Sequence, residues 1–176
     1  MSPPPKTLLE LGSGCGRLTR PMVDAGYEVT AVDNSNDMLN EINYAETVLA
    51  DIEPLSLDRR FDTILLASRV INCPDPKARE RMIRTARKHL KEGGVFLLEV
   101  HPETILDTKT GDSSKSESYD AKIVSSDIFG TRASITIEYT IDDDIWLHSF
   151  ETEYVEPHEV ERLLEKNGFK ISAFHS

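Results

Sequence analysis

Apolar runs of four to six residues alternate with helical stripes over the first hundred positions. Residues 6–11 end in Leu8-Leu9-Glu10-Leu11, and residues 27–33 read Tyr27-Glu28-Val29-Thr30-Ala31-Val32-Asp33. Residues 47–52, 61–68 and 95–100 repeat the theme, the fourth as a near-continuous run suited to a strand buried on both faces. Between them, Leu18, Met22 and Ala25 fall at helical spacing before Gly26, and Met38, Leu39 and Ile42 follow a good N-cap at Ser35. From Pro76 to Leu90, Ala78, Met82, Ile83, Ala86 and Leu90 form one stripe, with a basic, solvated face opposite. Strands alternating with helices predict β-α-β units in a parallel sheet.

The pattern changes after His101. Residues 107–118 are polar and predict a loop. Segments 120–125, 132–141 and 145–155 alternate as strands, with Asp142-Asp143-Asp144 as a turn. Connections this short require antiparallel pairing. Pro157 opens a last helix with Val160, Leu163 and Leu164 on one face; Asn167-Gly168 stops it. Residues 169–174 predict a final strand. At 176 residues the chain reads as one domain. Its core is 6–101 and 156–176, and its β-rich cap is 119–155. The fold class is α/β: a Rossmann-like, doubly wound, mainly parallel sheet with an antiparallel insertion after the fifth strand.

Charge narrows the partners. The net charge is −11, with 15 acids and 13 bases in residues 1–100 but 16 acids and 7 bases in 101–176. Such a surface repels phosphate backbones, which argues against nucleic acid and suits a neutral or cationic small molecule. No run reaches the roughly 20 apolar residues of a membrane span, and the N-terminus has no apolar leader core. Cys15 and Cys73 make neither a disulfide framework nor a metal site, and a reducing cytoplasm is the expected setting.

Chemistry centres on Glu10-Leu11-Gly12-Ser13-Gly14-Cys15-Gly16-Arg17. Strand, glycine turn and helix start form a common cradle for a nucleotide-like ligand. The dinucleotide fingerprint G-x-G-x-x-G is broken, because Arg17 stands where its third glycine belongs. A carboxylate at Glu10 suits an ammonium better than a pyrophosphate. Asp33, 17 residues beyond Gly16, ends the second strand where an acid accepts ribose hydroxyls; it also fits a helix N-terminus.

The stretches Leu8–Thr19, Gly26–Ser35 with Met38-Leu39, Ala50-Asp51-Ile52, Phe61-Asp62 and Leu90–Gly94 together resemble the class I S-adenosylmethionine (SAM)-dependent methyltransferases that act on small molecules. The likeness covers residues 6–101 and part of 152–174. It implies SAM as cofactor, with Gly12, Ser13 and Gly14 passing beneath it and Glu10 facing its ammonium directly or through water. Asp33 would take the ribose hydroxyls, and Ser35 and Met38 would border the adenosine. Asp51 would meet the adenine amino group, Ile52 its ring, and Ser68 the sulfonium and acceptor. Met38 and Ile52 also suit plain core packing. The resemblance implies in-line methyl transfer to a small acceptor. His101, past the fifth strand, is the candidate base; a surface or packing role fits it equally.

The family usually carries helices before the first strand and a last antiparallel strand. Only six residues precede Thr7, and the chain stops six residues after Lys170. The resemblance then implies an open pocket, closed by a partner subunit or left open because the chain is a fragment of a longer protein; a homodimer or a partner subunit is the expected assembly. A SAM-binding subunit without turnover and a SAM-using cyclase or lyase are the alternatives. A nicotinamide dehydrogenase ranks last, since no hydride-site signature such as Tyr-x-x-x-Lys occurs.

Overall fold

The computed structural model describes residues 6–116, 119–141 and 144–173. Five strands form one parallel sheet: β1 (Thr7–Leu11), β2 (Glu28–Asp33), β3 (Glu46–Leu49), β4 (Phe61–Leu66) and β5 (Leu90–Leu98), ordered β3-β2-β1-β4-β5. Order reverses between β1 and β4, and the crevice at such a switch point is where open α/β sheets bind ligands.

Period-two alternation explains how the sheet is covered. Leu9, Leu11, Ile64 and Leu66 point to one face, where α3 (Pro76–His89) and α4 (Pro157–Lys166) bury Ala78, Met82, Ile83, Val160 and Leu164 against them. Leu8, Val29 and Leu65 point to the other, against Leu18, Met22 and Val23 in and beside α1 (Thr19–Asp24). Helices therefore lie on both faces, and β1 is buried along nearly its whole length. α2 (Asn36–Leu39) is a single turn capped by Ser35, whose Oγ accepts from Met38 N at 3.4 Å. Asp75 caps α3 with Pro76 in its first position, an arrangement that spares or satisfies free N–H groups at a helix start.

A separate antiparallel sheet follows: β6 (Ser113–Lys115), β7 (Asp120–Phe129), β8 (Arg132–Ile141) and β9 (Asp144–Glu153), in chain order. Fully buried Asn72 ties it to the core. Its Nδ2 donates to Glu153 O at 2.7 Å, its Oδ1 accepts from His101 N at 2.8 Å, and its carbonyl accepts from Thr152 Oγ1 at 3.3 Å. Arg79, also buried, is ion-paired with Glu153.

Several expectations change. The third strand ends at Leu49, so Asp51 and Ile52 lie in the loop after it. Glu92-Gly93-Gly94 is not a turn before the fifth strand but an irregular part of β5, where the register shifts opposite Phe61–Thr63. The polar loop 107–118 contains β6, and a 3-10 turn, Glu103–Asp107, precedes it. Residues 169–173 form no strand, and Phe174 lies outside the described residues. Phe169 instead stacks on Phe96 with ring centroids 5.0 Å apart, so side-chain packing replaces a ladder there. Of the Asp142-Asp143-Asp144 turn, only Asp144 is described, and it opens β9. Among the described residues no helix is long and apolar enough to cross a membrane.

Candidate functional site

A cavity of about 820 Å³ opens at the carboxyl ends of β1, β2 and β4. Gly12, Ser13, Gly14, Asp33, Met38, Asp51, Ile52 and Ser68 line it, as do Arg17, Asn34 and Val70. The wall therefore gathers most of the candidate residues from separate stretches of chain.

The glycine loop owes its shape to β2. Gly12 N and Ser13 N both donate to Val32 O, at 2.8 and 3.0 Å. Gly14 N donates to Asp33 Oδ2 at 2.8 Å, and Ser35 N donates to Asp33 Oδ1 at 2.9 Å. Asp33 thus staples the loop to the start of α2, and each of its oxygens keeps a lone pair for a ligand hydroxyl. The glycines serve different ends. Gly14, at φ +55°, has open space where a Cβ would stand. Gly16, at φ +89°, would drive a Cβ into Ile42 and the Tyr44 hydroxyl, so packing rather than a ligand requires it.

Ser13 Oγ is buried and has no hydrogen-bond partner among the described residues. An orphaned hydroxyl costs stability unless something else satisfies it. Asn34 Nδ2 donates to Asp51 Oδ1 at 3.0 Å.

At the end of the cavity beyond β4, Arg17 Nη2 donates to Ser68 Oγ at 3.3 Å. Ser68 and Arg69 both sit in the left-handed region, at φ +55° and +57°. Two consecutive non-glycine residues there are strained by roughly 1–3 kcal/mol each. Glu99 holds the turn: it accepts from Ser68 N at 2.8 Å and pairs with Arg69 at 3.2 Å.

Three candidates lie off the cavity wall. Glu10 is buried behind the loop and accepts from Thr19 Oγ1 at 2.6 Å. Burial pushes its carboxyl above the usual range, against the Thr19 bond and the nearby Arg17 charge. Ser35 acts as the α2 cap. His101 sits beside Arg69 and Glu99. Burial, assisted by the Arg69 charge, holds its pKa at about 4, so its ring is neutral at pH 7.

Sequence reasoning does not single out Arg17, Asn34 or Val70 as site residues. Arg17 stands out only as the break in a dinucleotide fingerprint. Asn34, a polar residue directly after the strand-ending acid, carries a usable signal. Val70 comes from a 3-10 turn, Val70–Asn72, which periodicity does not register.

Switch-point crevice, glycine cradle and paired acids define a Rossmann-like nucleoside-binding domain of the methyltransferase class. Residues 8–94 match the family model described as a methyltransferase domain, and the chain belongs to the class I SAM-dependent methyltransferases. The ubiquinone biosynthesis O-methyltransferase of Idiomarina loihiensis (strain ATCC BAA-735 / DSM 15497 / L2-TR) is 32% identical over 103 residues, 51% of this chain and 40% of that protein. The match spans less than half the length of each of the curated relatives. A SAM-dependent methyltransferase from Clostridium acetobutylicum ATCC 824 superposes with TM-score 0.78 at 21% identity, over 92% of this chain and 72% of that one. The glycopeptide N-methyltransferase MtfA, solved with SAM, gives TM-score 0.66 at 26% identity, over 96% of this chain and 72% of that one.

Proposed function

We propose that this chain binds SAM in the cavity at the carboxyl edge of the sheet and transfers its methyl group to a nitrogen or oxygen of a small molecule. One observation carries the reading: Asp33 lines the cavity with its two carboxylate oxygens fixed by backbone N–H groups but not saturated, on the same wall as the glycine loop Gly12-Ser13-Gly14. The two similar proteins named for O- and N-methylation support such an acceptor class.

The cofactor supplies a methyl group on a sulfonium, reactive without covalent help. The chain's own residues bind, orient and exclude water. Asp33 takes the ribose hydroxyls, Ser13 offers its hydroxyl, and Asp51 takes the adenine amino group, with Ile52 and Met38 against the ring. Glu10 contributes negative field from behind the loop rather than contact. Arg17 lines the cavity and bonds to Ser68, and its guanidinium offers a cation for the ligand's carboxylate. Ser68 marks the acceptor end. His101, neutral at pH 7, is the candidate base. Its low basicity suits proton transfer from an already acidic group, or an acceptor that needs no base.

A second reading is that the chain binds SAM but turns over only with a partner subunit or further chain. The matched stretch spans less than half of its curated relatives. The deciding experiment incubates the chain with SAM and a panel of small amines and alcohols, and follows S-adenosylhomocysteine by mass spectrometry. Its acceptor-dependent appearance supports transfer. Methylthioadenosine instead would indicate a cyclase or lyase. Binding without either product would favour the second reading.

A further inference from the structure

The amino edge of the parallel sheet carries a second depression, of about 430 Å³, that shares no lining residue with the first. Arg60, Arg84, Arg87, Lys88 and Asn167 line it. Three segments bring them together. Arg60 is the residue before β4, and Phe61 pairs with Leu90, the residue after α3, so the end of α3 lies beside the start of β4. Arg84, Arg87 and Lys88 fall at i, i+3 and i+4 and so share one face of α3. Asn167 caps the end of α4. The six residues of β4, about 20 Å at strand rise, separate this depression from the cavity at the carboxyl edge.

In a chain with 31 acids and 20 bases, the described wall is four cations and one amide. Neighbours hold several of them in place. Lys88 Nζ donates to Ser56 Oγ at 2.7 Å, the Arg87 guanidinium lies 6.0 Å from the centre of the Phe169 ring, and Asn167 Nδ2 donates to Leu163 O at 2.8 Å. Glu80, one turn before Arg84, is engaged by Lys166 at 2.9 Å. His89 is neutral, since its Nε2 accepts from Leu57 N at 2.9 Å while Nδ1 donates to Thr85 O at 2.8 Å. Cations are also common at helix ends. Each C-terminus carries about half a negative charge, so α3 and α4 together offset about one of the four cations. Arg60 stands on no helix, so that role does not account for it.

We propose that this depression binds the phosphate group of a small phosphorylated or polyphosphate anion, separately from the cofactor cavity. Guanidinium forks donate in pairs to phosphate oxygens, and Lys88 adds a point charge. A group with two or more negative charges matches the surplus, whereas a single carboxylate would leave most of it unmatched. At physiological salt, fields beyond about 8 Å are largely screened. An anion here therefore meets the local cations rather than the net charge of −11.

Calorimetric titration of the whole chain in phosphate-free buffer, with pyrophosphate, glycerol phosphate and acetate as probes, tests the proposal. Pyrophosphate or glycerol phosphate should bind once per chain, with a dissociation constant of about 10–500 µM at low ionic strength, and acetate should not saturate. Tighter pyrophosphate assigns a free polyphosphate as ligand, and tighter glycerol phosphate a phosphate monoester; either order supports the site. Raising salt from about 20 to about 200 mM should weaken the tighter probe tenfold or more. Arg84→Gln with Arg87→Gln should do the same at low salt and leave the melting temperature little changed, because both side chains are exposed. Arg17→Gln, in the other cavity, should leave the affinity unchanged. No saturable binding of either phosphate probe below about 5 mM would overturn the proposal. So would wild-type affinity in the double variant, or loss of binding in Arg17→Gln instead.

Discussion

Asp33→Ala strikes the residue on which loop, helix start and ligand converge. The carboxylate accepts from Gly14 N at 2.8 Å and Ser35 N at 2.9 Å. Alanine strands both N–H groups in a half-buried setting. A net hydrogen bond to a charged acceptor is worth about 1.5–3 kcal/mol, and less where water can replace it. The stability loss should therefore be about 2–3 kcal/mol. Losing one or two charge-assisted ribose bonds should weaken SAM by a further 2–4 kcal/mol, or roughly 30- to 1,000-fold. Asp33→Asn is not a silent control. The amide's single carbonyl oxygen can serve Gly14 or Ser35, and its NH₂ then faces the other donor. This variant should fall between wild type and alanine in both properties. Thermal denaturation reads stability, and calorimetric titration at a temperature well below both midpoints reads affinity. If Asp33→Ala folded and bound SAM about as tightly as wild type, the ribose assignment would be wrong, and Asp33 would be a structural staple only.

Other residues separate binding from folding. Ser13→Ala removes a buried hydroxyl that has no partner, so the free chain should melt unchanged or up to about 1 kcal/mol more stably, while SAM affinity falls severalfold; calorimetry beside a melting curve shows both. Gly16→Ala should cost several kcal/mol or abolish folding, because its Cβ meets Ile42 and Tyr44 at a positive φ; urea titration checks it. Asn72→Ala should cost about 2–4 kcal/mol by stranding Glu153 O and His101 N, and should loosen the antiparallel sheet before the core in hydrogen exchange. His101 binds its proton less well folded, at about 4, than unfolded, near 6.5, so the unfolded chain takes up more protons between those values. Its contribution to stability is complete above about pH 6.5 and is lost as pH falls towards 4. His101→Gln should flatten that part of the stability–pH curve, measured by denaturant unfolding across the same range.

What was legible follows from which interactions are local. β1 and β4 announce themselves because strands buried on both faces must be apolar throughout. Gly12, Gly14 and Asp33 were legible because a cradle needs a backbone without Cβ and an acid at a fixed strand end. The residues that escaped depend on distant contacts. Ser68 and Arg69 hold left-handed conformations that neither residue type advertises, because Glu99, far along the chain on the loop after β5, fixes them. Glu10 is buried and bonded to Thr19, nine residues on in α1, a contact that strand alternation does not encode. Residues 169–173 have a strand's alternation without its ladder, because Phe169 finds a ring to stack on at Phe96. Asn72 gave no sign at all, since its partners lie on segments 29 to 81 residues away.

Binding itself is the most direct test of the central claim. Calorimetric titration of the chain with SAM, S-adenosylhomocysteine and NAD in parallel should give micromolar dissociation constants for the first two and no heat for the third. Tight NAD binding, or no saturable binding of SAM and S-adenosylhomocysteine, would contradict the assignment of this cavity.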